Sequence, residues 1–267
     1  MVKFNSRAKI ISNIEIRPDI FLMKVAAPII ASSAIPGQFC MLSPHKVPKY
    51  DPLLRRPLSI HDVFLETGEV EFLYRVVGKG TKLLSCLQKG DDILTLGPLG
   101  NGFSMIDQQI PILVGGGLGV APLLFLAKRL KGQRAVAILG AVTKSQLLRL
   151  EAFKKTDLEI LVATEDGSFG NKGLVTEVLD RLFANLDEKS RKRVCVFACG
   201  PIPMLRAVWH ICSLYKTRCQ VSMETHMACG TGLCLGCAIF GKDGFIHVCK
   251  EGPCFNAEDI YWEKINL

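Results

Sequence analysis

Five of the eleven cysteines lie between Cys229 and Cys254. Cys229, Cys234 and Cys237 are separated by four and then two residues, and Cys249 follows after eleven intervening residues. Thiolates at C-x4-C-x2-C…C have the spacing of plant-type [2Fe-2S] ligation. Gly230, Gly232 and Gly236 lack β-carbons, so backbone amides can approach the cluster sulfurs and tune the reduction potential. Zinc held by four cysteines normally uses two C-x2-C pairs, and only one is present here. The zinc alternative would make the chain a non-catalytic interaction protein. Cys254 is a second candidate for the fourth ligand. Cys249 is favoured because it ends the strand-like run 245–249.

Five other motifs suit anionic and flavin-like ligands. Arg56-Pro57-Leu58-Ser59 offers a guanidinium for a pyrophosphate and a hydroxyl for the edge of a flavin ring. Leu73-Tyr74-Arg75 supplies an aromatic ring that could cover a flavin or its adenine. Gly80-Thr81 closes a glycine turn leading into a helix, where backbone N–H groups bind phosphate. Gly115, Gly116, Gly117 and Gly119 form a glycine turn between a strand and a helix, without the G-x-G-x-x-G fingerprint of dinucleotide sites. Cys199, Gly200 and Pro201 form another strand-to-helix turn. Cys199 either faces a nicotinamide or is a buried core thiol, and Met204 reads as core. No residue reads as a general acid or base, so no catalytic side chain is nominated.

The elements that must position these groups change character along the chain. Residues 1–105 contain short β-branched and aromatic runs with turn signals, and one short helix over 80–88 capped by Thr81 and stopped by Gly90. That pattern predicts an antiparallel β-barrel. From 106 to 224 apolar strands alternate with helices, including one predicted over 145–155. Five strands and four helices imply a parallel sheet wrapped on both faces, an α/β nucleotide-binding domain. Residues 225–267 are rich in glycine and cysteine, a small module that a metal centre would support.

Composition sets outer limits. Apolar residues make up 49%, enough for a packed core. The net charge is +8, yet there is no block of five or more Lys or Arg, so nucleic acid is not an expected partner. Residues 1–13 hold no apolar core of signal-peptide length. The longest apolar stretch, 110–127, contains four glycines and two prolines and reads as strand, loop and helix rather than a membrane span. A soluble, cytoplasmic protein is expected. Cys40, Cys86, Cys195, Cys199, Cys212 and Cys219 are scattered among apolar residues and are expected to be buried thiols. A 2′-phosphate would want an Arg or Lys near the end of the second α/β strand; Lys144 lies in that region, where a solvated lysine is the ordinary reading, and the choice between NAD and NADP stays open.

Together these motifs resemble the ferredoxin reductase-like superfamily and, more closely, the electron-transfer subunits of type B dihydroorotate dehydrogenase. The similarity runs over nearly the whole chain and is most specific over 223–255. Arg56 to Ser59, Leu73 to Arg75, and Gly80 with Thr81 stand at that family's FAD-contacting positions. Cys254 departs from its usual pattern. The resemblance implies one FAD, one [2Fe-2S] cluster and NAD(H) as co-substrate. It also implies an FMN-containing catalytic partner, assembled with this subunit as a heterotetramer in pyrimidine biosynthesis. Related subunits of sulfide dehydrogenase, NADH-dependent ferredoxin:NADP oxidoreductase and hydrogenase-linked diaphorase share these parts.

Overall fold

The computed structural model describes residues 4–43, 50–105 and 109–265. By packing, these divide into two compact units. One comprises 1–102, 224–238 and 247–253, and the other 103–223, 239–246 and 254–267. The sequence placed boundaries at 106 and 225; the residues of the expected third module are shared between the two units.

In the first unit six antiparallel strands close a barrel in the order β1-β2-β5-β4-β3-β6. They are β1 (Phe4–Arg17), β2 (Ile20–Ala26), β3 (Phe39–Leu42), β4 (Arg56–Phe64), β5 (Glu69–Arg75) and β6 (Asp92–Leu99). Register shifts between Ile10 and Ser12 and between Ile60 and Asp62 supply the local bends that closure requires. Met23, Met41, Leu42, Ile60 and Phe72 fill the core. Two helices interrupt the barrel, α1 (Pro28–Ser33), which the sequence did not signal, and α2 (Lys79–Ser85).

The cap of α2 differs from expectation. Gly78 is the N-cap, and Thr81 sits three residues in, its hydroxyl accepting from the Val77 and Gly78 amides at 2.9 and 3.2 Å. At the other end Asn13 Nδ2 donates to the Leu84 and Leu87 carbonyls, while Asn13 Oδ1 accepts from the Tyr74 hydroxyl. Cys86, expected to be buried, is the exposed C-cap of this helix.

The second unit carries a seven-stranded sheet ordered β10-β9-β8-β7-β11-β12-β15. Its members in chain order are β7 (Ile110–Gly116), β8 (Val136–Ala141), β9 (Glu159–Thr164), β10 (Asn171–Lys172), β11 (Val194–Cys199) and β12 (Arg218–Ser222), all parallel. A hairpin, β13 (Ala238–Gly241) and β14 (Gly244–His247), precedes β15 (Cys254–Asn256), which is antiparallel to β12. The helices are α3 (Ala121–Arg129), α4 (Leu150–Phe153), α5 (Val175–Ala184), α6 (Glu188–Arg191) and α7 (Ile202–Leu214). The helix expected over 145–155 is reduced to a 3₁₀ turn and the four residues of α4. Leu147, Leu148 and Phe153 are all buried, and Arg149 adopts a left-handed φ of 57°. Burying neighbouring leucines side by side overrides helical propensity. Arg206 anchors the C-terminal tail by donating to the Trp262 and Ile265 carbonyls, both at 2.9 Å. The barrel and the wound parallel sheet agree with the fold class read from the sequence.

Candidate functional site

The cysteine loop 229–237 belongs to the barrel unit and is almost free of regular structure. Gly230 and Gly232 sit at φ +70° and +85°, a region that a side chain would strain. A β-carbon on Gly230 would meet Met41, and one on Gly232 would meet the Lys250 stem. These turns point backbone amides at sulfur. Thr231 and Cys234 both donate to Cys229 Sγ at 3.4 Å, Gly232 donates to Cys249 Sγ at 3.1 Å, and Cys249 donates to Cys237 Sγ at 3.4 Å.

The thiols form two pairs, since Cys234 hydrogen-bonds Cys229 and Cys237 hydrogen-bonds Cys249. Partial burial opposes ionisation of Cys229, but the Thr231 and Cys234 amides outweigh it and pull the thiol down to about 5. Burial, followed by the Cys237 thiol, pushes Cys249 up to about 12. Among the described residues no set of three or more His, Cys, Asp or Glu side chains is placed as the ligands of a metal ion. Two thiol pairs laced together by amides instead suit a centre with two irons, each taking two thiolates. Cys254 falls in the second unit. There it pairs with Ser222 on β12, and burial drives its thiol above the ordinary range while a Ser222 hydrogen bond works the other way. Leu233 and Leu235, which the sequence did not single out, are 84% and 58% exposed beside the exposed Cys234, with Leu235 at a left-handed φ of 59°.

On the barrel, two of the expected flavin motifs converge. The Arg56 guanidinium lies flat against Gly80, in the space where a β-carbon would stand. Its Nη1 donates to the Leu54 carbonyl at 2.6 Å. Pro57, Leu58 and Ser59 follow half-buried along β4. On β5, Leu73 is buried and Arg75 exposed. Tyr74 does not offer an open ring face as the sequence suggested. It is 1% exposed, stacked on Phe21, and its hydroxyl is committed to Asn13. Tyr74 therefore joins the barrel wall to α2 through Asn13.

In the α/β unit, β7 and β11 are neighbours, yet the chain leaves β7 toward β8 and leaves β11 toward β12. Their carboxyl ends thus form the topological switch point where ligands bind in open sheets. Both glycine turns lie there. A β-carbon on Gly119 would strike the Cys199 carbonyl, and β-carbons on Gly116 and Gly200 would both meet Met204. Gly115 packs on Val120 and Leu123, while Gly117 takes φ +55°. Pro201 is the N-cap of α7. Cys199 is 1% exposed, so its sulfur is buried beneath the turn. Met204, expected in the core, is half-buried between the two glycine turns.

The family model describing the iron-sulfur cluster binding domain of dihydroorotate dehydrogenase B matches residues 224–261. A dihydroorotate dehydrogenase B (NAD(+)) electron transfer subunit from Caldanaerobacter subterraneus is 37% identical over 263 residues, covering 97% of this chain and 99% of the relative. The subunit of the same name from Streptococcus mutans is 38% identical, covering 94% and 96%. The chain belongs to the dihydroorotate dehydrogenase B electron transfer subunit family. A solved NADH-dependent reduced ferredoxin-NADP oxidoreductase chain superposes with a TM-score of 0.82 at 34% identity, covering 96% of this chain and 90% of that one. The ferredoxin NADP+ reductase of Neisseria gonorrhoeae, solved with FAD and NADP, shares the fold at 18% identity and a TM-score of 0.64, covering 84% and 95%. The chain is thus an oxidoreductase electron-transfer subunit with a ferredoxin reductase-like fold, and its family membership implies a catalytic partner subunit. Among the described residues no helix is long and apolar enough to cross a membrane.

Proposed function

We propose that this subunit carries electrons between NAD(H) and an FMN-containing partner that interconverts dihydroorotate and orotate, in a heterotetramer, using one FAD and one [2Fe-2S] cluster. The observation that carries this reading is the amide-laced array of Cys229, Cys234, Cys237 and Cys249. When bound, FAD exchanges a hydride with nicotinamide and releases electrons singly, and the two-iron cluster relays them one at a time.

This chain's residues hold and orient those groups. The four cysteines supply the thiolates, and the Thr231, Gly232, Cys234 and Cys249 amides stabilise negative charge on sulfur. Arg56, packed on Gly80, provides the guanidinium for the flavin pyrophosphate, with the Gly80-Thr81 turn beside it and Pro57, Leu58 and Ser59 along the ring-bearing strand. Leu73 and Arg75 line the same region of the barrel, with Tyr74 bracing it from inside. At the switch point, Gly115, Gly116, Gly119 and Gly200 let the two turns pack closely on Val120, Cys199 and Met204, Gly117 opens onto free space, and these turns with Pro201 would hold the dinucleotide pyrophosphate, with Cys199 buried in the second turn. The exposed Leu233 and Leu235 offer the partner an apolar contact beside Cys234.

The deciding experiment is anaerobic purification followed by metal analysis and a visible spectrum. The expected protein has flavin absorbance, acid-labile sulfide and about two irons per chain. With the partner added, NADH oxidation should depend on orotate. A colourless zinc protein would refute the proposal. The likeness to the ferredoxin-NADP oxidoreductase chain favours a second reading, in which the acceptor is ferredoxin or NADP+. Orotate-independent NADH oxidation coupled to either acceptor would select it.

A further inference from the structure

Beyond the glycine turn of β7, the ends of β8 and β9 are stitched together. The Glu165 and Asp166 amides donate to the Ala141 and Val142 carbonyls, both at 3.2 Å. The Lys144 amide donates to Ser168 Oγ at 2.8 Å, and that hydroxyl donates to Asp166 Oδ1 at 2.6 Å. The Ser168 amide donates to the same oxygen at 2.9 Å. Two donors from one residue therefore fix an exposed carboxylate at this edge, and they also hold it below the usual carboxylate range. Between Gly140 and Ser145 the chain has no acidic side chain, so the carboxylate at this edge comes from the third strand of the unit rather than the second.

The local cations are differently placed. Lys144 Nζ lies 5.3 Å from the centre of the Phe169 ring, and the Lys172 stem packs against Gly167. In open α/β sheets the pyrophosphate sits at the first glycine turn, and an acidic side chain further along reads the adenosine ribose. Here β8 and β9 follow β7 in the sheet in that order.

We infer that Asp166 is the residue that selects between dinucleotides: it accepts a hydrogen bond from the 2′-hydroxyl of NAD(H) and repels the 2′-phosphate of NADP(H). The assignment rests on the nucleotide site proposed above. A fixed carboxylate beside a phosphate is a like-charge contact that excludes the wrong ligand, and a lost hydroxyl contact weakens the right one.

The test is calorimetric titration of the flavin- and iron-loaded full chain with NAD+ and with NADP+, as wild type and as Asp166→Asn, Asp166→Glu and Lys144→Ala. Wild type should prefer NAD+. Asp166→Asn should shift the ratio of the two dissociation constants toward NADP+ by about tenfold or more, the scale of one like-charge contact. Asp166→Glu, which keeps the charge, should still reject NADP+. Tighter binding of NADP+ by wild type, an unchanged ratio in Asp166→Asn, or a preference controlled by Lys144 would each overturn the assignment. A loaded protein that binds NAD+ but keeps its ratio in Asp166→Asn sinks this assignment alone. A protein without flavin or iron, binding neither nucleotide, sinks the proposed function with it.

Discussion

At the scale of single residues, the cysteine ligands are the sharpest test. Cys249→Ser should abolish stoichiometric iron, whereas Cys254→Ser should leave iron and sulfide content unchanged, because the Gly232 amide donates to Cys249 Sγ and the Cys249 amide to Cys237 Sγ, while Cys254 hydrogen-bonds Ser222. A second expectation follows from thiol acidity. In the cluster-free polypeptide Cys229, depressed to about 5, is a thiolate at pH 7, whereas Cys249, raised to about 12, stays protonated. Iodoacetamide at pH 7 should therefore alkylate Cys229 well before Cys249, as peptide mass spectrometry would show. Equal rates would contradict the hydrogen-bond pattern. The cysteine spacing was readable from the chain because ligand separation is dictated by the size of the metal centre. The state of Tyr74 was not readable. Whether an aromatic ring faces a ligand or a wall depends on Phe21 and Asn13, which lie 53 and 61 positions away in the chain.

At the scale of elements, α2 depends on contacts from outside itself. Asn13 accepts the Tyr74 hydroxyl and closes the last turn of the helix with two donated bonds of 2.9 and 3.0 Å. Asn13→Ala should destabilise the protein by about 2 kcal/mol, read by chemical denaturation, since partly buried partners are left unsatisfied. It should also weaken FAD retention, because α2 carries Gly80. Gly80→Ala should lower flavin occupancy more directly, since the added methyl occupies the place of the Arg56 guanidinium. Long apolar strands such as β7, β8 and β11 declared themselves through runs of branched residues. Elements decided by distant packing did not: α1 carries no periodic signal over six residues, and the predicted helix at 145–155 gave way to burial of Leu147 and Leu148.

At the scale of the whole molecule, the proposal expects a division of labour with the partner subunit. Leu233→Asp should leave iron, flavin and NADH oxidation by an artificial acceptor intact, while raising the partner concentration needed for orotate-dependent turnover. Co-purification and steady-state kinetics would show the difference, and an unchanged requirement would remove these leucines from the contact. The chain itself visits the barrel unit three times, through 1–102, 224–238 and 247–253. A fragment ending at Gly102 would keep all six strands but lose Gly230 from its seat on Met41 and Leu99. Gene fusions that borrow this flavin barrel by a single splice would therefore inherit an uncovered apolar floor. Only transplants that bring along both cysteine-bearing stretches would start from a sealed one.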